Sequence, residues 1–144
     1  MAKSMIKAAF ITDIEDVWKT VTSLEDYGWR SDLSRIEVLS DKKFIEYTKD
    51  GYATIFETTS FIPYSKWEFN MENDNMIGHW TGVFSKESGI TIIEFTEDVT
   101  AKKLLMKPFV RGFLRKQQKT YISDLKKALT EYIGEDPRRR NHYA

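Results

Sequence analysis

Between Lys66 and Glu72 the chain alternates strictly, with Trp67, Phe69 and Met71 on one side and Lys66, Glu68, Asn70 and Glu72 on the other. Successive strand side chains point to opposite faces, so this segment predicts a strand with one dry and one wet face. The same texture, rich in β-branched and aromatic residues, recurs from residue 33 to residue 100. It is broken at Asp41-Lys42, Asp50-Gly51, Pro63-Tyr64, Asn73-Asp74-Asn75 and Ser88-Gly89. Six strands are predicted near 34–40, 43–49, 52–61, 65–72, 77–86 and 90–100, antiparallel because short turns join them. An earlier strand at 5–11 places Ile6, Ala8 and Phe10 on one face.

The Ser88-Gly89 turn fixes a register. With those residues as the loop, Glu87 faces Ile90, Phe84 pairs with Ile93, Gly82 with Phe95 and Trp80 with Glu97, which gathers the large apolar side chains on one face. A shift by one residue would move Phe95 to the wet side. Glu97 breaks the pattern. It reads as a strand-end residue reaching solvent in preference to a buried ligand-binding carboxylate, since acidic side chains are rarely buried unpaired.

Two stretches change period. Thr12-Asp13-Ile14-Glu15 matches a capping box and opens a helix with Ile14, Val17, Trp18 and Val21 on one side, ending near Leu24 before Tyr27-Gly28-Trp29. A second helix is predicted from about Lys107 to Tyr132, with Pro108 in its first turn. Its apolar arc holds Val110, Phe113, Leu114, Tyr121, Leu125, Ala128 and Tyr132, while Lys107, Arg111, Arg115 and Lys119 step along another face. Gln117 falls inside the apolar arc. Its amide needs partners, so it either bonds nearby backbone or faces a cavity holding water or ligand.

Composition narrows the class. A chain of 144 residues buries roughly 68–70% of its unfolded surface, enough for one self-sufficient domain, placed at 1–133. Residues 134–144 lack periodicity and read as a disordered polar tail. The absence of cysteine excludes disulfides and thiolate chemistry and fits a reducing cytoplasm. Met1–Lys7 meets a charge before an export-type apolar region develops, and no apolar run is long enough to span a membrane; a soluble, cytoplasmic protein is expected. Nine Phe, seven Tyr and four Trp against seven Gly and three Pro imply that large side chains line something. The formal charge is zero, yet residues 1–101 carry 10 Lys or Arg against 18 Asp or Glu, and residues 102–144 carry 12 against 4. Such asymmetry marks either a solvated helix face or a surface for an anionic partner.

The order of strand, helix, six-stranded meander and long helix resembles the helix-grip fold of the START/Bet v 1-like (SRPBCC) superfamily, in particular its bacterial polyketide cyclase/dehydrase-type members. The residues carrying the likeness are the Thr12–Trp18 helix start, Trp29, Gly78-His79-Trp80, the run Lys107–Gln117, and Leu125-Lys126. The resemblance spans roughly residues 4–133. It implies an α+β fold in which a seven-stranded antiparallel sheet wraps around the long C-terminal helix, with two short helices after the first strand. It also implies a cavity between sheet and helix that takes a lipid, polyketide, quinone or similar molecule, without implying catalysis.

Chemistry is sparse. His79 is the one histidine inside the expected fold, and it points away from the cavity in this register; no metal cluster, nucleophile triad or phosphate loop can be assembled, and no cofactor is expected. Glu57, Glu94, Glu97 and several tyrosines remain as weak acid–base candidates. The helix wheel and the hairpin register together turn Trp67, Phe69, Trp80, Phe84 and Phe95 toward Val110, Phe113, Gln117 and Tyr121, and these nine form the expected ligand-binding set. Three functions follow. A non-catalytic binder or carrier of a small apolar molecule is favoured. The others are a cyclase/dehydratase-type enzyme in the same cavity and an interaction module docking through the basic helix face. For the last, nucleic acid or the ribosome is the weaker kind of partner.

Overall fold

A computed structural model describes residues 2–135, with side chains to residue 130. Of the tail expected from residue 134, residues 134 and 135 belong to the last helix; the rest lies outside the described residues, as does the Tyr132 side chain.

The strands fall where the alternation places them. They are β1 (Ala2–Phe10), β2 (Leu33–Val38), β3 (Lys43–Thr48), β4 (Ala53–Ile62), β5 (Lys66–Glu72), β6 (Met76–Glu87) and β7 (Ile90–Ala101). They form one antiparallel sheet in the order β1-β7-β6-β5-β4-β3-β2. The β6–β7 hairpin has the expected register, with Trp80 opposite Glu97 and Gly82 opposite Phe95. Ser88 (φ 51°) and Gly89 (φ 80°) both take the left-handed conformation that a two-residue hairpin turn requires. A bulge between Thr58 and Ser60 shifts the β4–β5 register, the kind of break that bends a strand.

One helix, α1 (Ile14–Thr22), follows β1, where the resemblance implied two; residues 23–32 form turns instead. Its N-cap is Asp13 and not Thr12, so the helix begins one residue later than the capping box suggests. Thr12 is buried, and its carbonyl accepts a hydrogen bond from Thr91 Oγ1 at 2.6 Å, which ties the start of α1 to β7. Val17, Trp18 and Val21 form the buried face of α1, and Trp18 meets Phe84 edge-on at 4.8 Å.

The long helix α2 (Val110–Glu135) packs chiefly on β1. Pro108 lies in a separate 3-10 turn, Leu104–Phe109, and not in the first turn of α2. The buried stripe of α2 is Val110, Leu114, Gln118, Ile122, Leu125 and Leu129. This is the predicted arc rotated slightly about the helix axis, which leaves Phe113 half-exposed and turns Gln117 outward. Lys107, Arg111, Arg115 and Lys119 are exposed, as their spacing indicates. No helix among the described residues is long and apolar enough to cross a membrane.

Candidate functional site

The sheet's inner face is an aromatic mosaic. Phe69 and Trp80 stack at 4.7 Å with planes 5° apart, Trp67 meets both edge-on, and Trp80 leans on Phe95 at 4.7 Å. Gly82 makes this possible. A Cβ there would run into the Trp80 ring, so only glycine lets that indole lie over the β6 backbone. The Trp67 indole N–H is satisfied by Thr58 Oγ1 at 3.1 Å.

Between this wall, α2 and the segment joining α1 to β2 lies a cavity of about 280 Å³. Of the nine residues expected to line it, Trp67, Phe69, Trp80, Phe95, Phe113, Gln117 and Tyr121 do. Phe84 does not, because the Trp18 ring of α1 covers it. Val110 does not either; it packs with Val99, Ala101 and Leu114 in a second core cluster. The Gln117 amide is the exposed one, on the cavity rim. The buried amide is its neighbour Gln118, which accepts from Ser4 Oγ at 2.7 Å and donates to the Ser4 carbonyl at 3.1 Å, pinning α2 to β1.

The other end of the cavity is polar, built from residues that no local sequence pattern brings together. Arg30, from the segment before β2, makes a two-pronged contact with Asp32 (3.2 and 3.1 Å) and reaches Glu46 of β3 at 3.1 Å. Its guanidinium lies 4.9 Å from the Tyr121 ring centre. Burial alone would lower the Arg30 pKa, but the charges of Glu46 and Asp32 and the Asp32 hydrogen bond outweigh it, so the group stays cationic. The segment is anchored from α2, since Asp124 Oδ2 accepts from both the Ser31 amide (2.8 Å) and hydroxyl (2.7 Å).

Glu97 sits on the same face as Trp80 and lines this polar end. The expectation that it reaches solvent is corrected: Oε2 is sealed from water and has no hydrogen-bond partner among the described residues. Burial, reinforced by the charge of Glu46 and opposed by Arg30, pushes its carboxyl up to about 7. Burial likewise raises the Tyr121 phenol above its ordinary value, so it stays protonated at neutral pH. Trp29 Nε1 is the other buried side-chain polar atom left without a partner among the described residues, and Trp29 lines the same cavity. A signal for Glu97 was present in the sequence, since the register that pairs it with Trp80 puts it on the inner face. Arg30 and Trp29 carried none as site residues, because the irregular segment before β2 brings them in, and Glu46 of β3 joins them through its ion pair with Arg30.

The remaining candidates lie elsewhere. His79 bonds Asn70 and Glu68 on the outer face, and that bond, with Lys66, holds the Glu68 carboxyl below its usual range. Glu57 pairs with Lys43, and Glu94 lies outside the cavity lining. Among the described residues no group of three acidic or histidine side chains could hold a metal ion.

No family model and no curated protein matches the chain. Solved structures do. A START superfamily protein from Mycobacterium smegmatis superposes with a TM-score of 0.80 at 11% identity, covering 90% of this chain and 98% of that one. A conserved protein from Geobacillus kaustophilus gives 0.77 at 12%, covering 90% and 95%. The protein XoxI from Bacillus cereus gives 0.75 at 15%, covering 92% and 98%. At such identities the likeness speaks for architecture alone, and the chain has the START-like helix-grip fold.

Proposed function

We propose that this protein binds or carries a small, mostly apolar molecule, of the lipid, polyketide or quinone kind, in the cavity between the sheet and α2. The observation that carries this reading is the space itself. Trp67, Phe69, Trp80 and Phe95 stack on one another along the sheet, and about 280 Å³ stays open before them. An apolar wall with a few placed polar groups is how small-molecule sites are built, and this volume suits a ligand of two or three rings. The START superfamily name of one structural neighbour agrees with this reading.

The test uses 2-ethylnaphthalene as an uncharged probe. Its entry is expected to change tryptophan fluorescence, because Trp67 and Trp80 are in the wall, and to stabilise the folded state by about 2.7 kcal/mol at a hundredfold excess over Kd. Neither effect appearing, with this probe or with a panel of lipids and quinones, would refute the reading.

A second reading, an interaction module docking on an anionic partner, is favoured by a separate surface. Leu104 (77% exposed), Leu105 (88%) and Phe109 (72%) project from the 3-10 turn among Lys102, Lys103, Lys107 and Arg111, and no acidic residue occurs between Asp98 and Asp124. Salt-sensitive binding to RNA or anionic vesicles, lost on reversing Lys107 and Arg111, would support it.

A further inference from the structure

The two buried side-chain atoms without a partner among the described residues, Trp29 Nε1 and Glu97 Oε2, belong to residues that line one cavity. A buried polar group without a partner carries an uncompensated desolvation cost, so most are matched in a folded protein. Here neighbouring polar groups are matched. Trp67 donates to Thr58, Ser4 and Gln118 satisfy each other, and Arg30 has two carboxylates. The geometry points to a hydrogen-bond acceptor on the ligand: resting on the binding reading above, the polar end of the cavity selects a neutral apolar molecule carrying a carbonyl, such as a ketone, ester or quinone, whose oxygen accepts from Trp29 Nε1–H and from the Glu97 carboxyl.

The charges around Glu97 explain why a neutral acceptor fits better than a cation or a carboxylate. The charges acting on it are those of Glu46 of β3 and Arg30 of the segment before β2; Asp32 and Tyr121 of α2 line the same cavity, and Ser4 of β1 and Trp80 of β6 are its cross-strand neighbours. Arg30 is held by Asp32 and Glu46, which leaves no free cation among the described residues of the cavity lining to receive a ligand carboxylate. Glu97 beside Glu46 keeps its proton more readily than an exposed glutamate, and the protonated carboxyl is a donor. The indole N–H can only donate. Both orphans therefore ask for the same partner.

Two isosteric probes separate this inference from the reading beneath it. The hydrocarbon 2-ethylnaphthalene reports the cavity alone, and 2-acetylnaphthalene adds one carbonyl oxygen. At pH 6 the ketone is expected to bind about thirtyfold more tightly, as two net hydrogen bonds give. Above pH 7 this advantage should fall by about tenfold per pH unit until the Glu97 contribution is gone, whereas hydrocarbon affinity stays flat. Glu97→Gln keeps a donor at every pH, so its ketone preference should persist and lose its pH dependence. Trp29→Phe removes the N–H but retains a ring against Tyr121, and should lower the affinity for the ketone relative to that for the hydrocarbon by about threefold to tenfold. Equal affinity of wild-type protein for the two probes at pH 6 would overturn the inference, because the orphans would then be served by water, and the binding reading would stand. A ketone affinity that rises with pH would overturn it too. If neither probe binds, both the reading and the inference fall.

Discussion

Ser4 of β1 and Glu97 of β7 face each other directly across the sheet, yet one stands in a closed polar pair and the other in an open one. Gln118 accepts from the Ser4 hydroxyl and donates to the Ser4 and Phe95 carbonyls, and thereby locks α2 to the sheet. Glu97, on the same row, lines the cavity and has one buried oxygen unmatched among the described residues. A satisfied buried network fixes a structure, whereas an unsatisfied one carries a desolvation cost that only a solvent molecule or a ligand can relieve. The contrast places a satisfied buried pair and an unsatisfied carboxyl side by side on a single face.

The largest expected effect comes from Glu97. Its folded pKa of about 7 lies above its ordinary 4.5, so between these values the folded chain holds a proton that the unfolded chain has lost, and stability falls as pH rises. At about 1.4 kcal/mol per pH unit, the loss approaches 3 kcal/mol above pH 7. Glu97→Gln should therefore be up to about 3 kcal/mol more stable than wild type at pH 8 and nearly equal at pH 4, as measured by urea unfolding. Equal stability at both pH values would mean that the carboxylate is well hydrated and the contrast with Ser4 false.

Gln118→Leu should act in the opposite direction. It strands the Ser4 hydroxyl and carbonyl and should cost about 1–3 kcal/mol at every pH. A smaller cost that varies with pH would place Gln118 in the functional set.

Gly82→Ala sharpens the same comparison from the wall side. The new Cβ would meet Trp80, with its Cζ3 atom only 2.7 Å away, and Phe95 behind it. Displacement of the indole should cost about 1–2 kcal/mol and weaken 2-ethylnaphthalene binding, because the ring moves into the cavity. Unchanged probe affinity would show that Trp80 does not bound the space that the ligand uses. The smallest effect belongs to Gln117→Leu, expected within about 0.5 kcal/mol of wild type, since that amide is exposed and one residue from the one that matters.

That pair of glutamines shows where sequence reading stops. The helical period identified an amide inside the apolar stripe of α2, but the wheel is fixed only to within a residue's rotation; docking on β1, with Ser4 as the partner, selects Gln118 over Gln117. Phe84 shows the same limit. Its strand face was right, and its neighbour was not, because Trp18 arrives from α1 to cover it.

What the sequence by itself determined was the sheet. Alternation and turn residues act over short range, and a period of two allows a register to be checked against its own apolar face, so the β6–β7 pairing and the inward position of Trp67, Phe69, Trp80 and Phe95 could be read directly. Tertiary structure decided the site. Arg30 meets Glu46 sixteen residues away, and Trp29 meets Tyr121 through the fold of an irregular segment that has no period to read. The Glu97 proton depends on the charges and burial those contacts create, which are properties of a shared volume that no local pattern encodes.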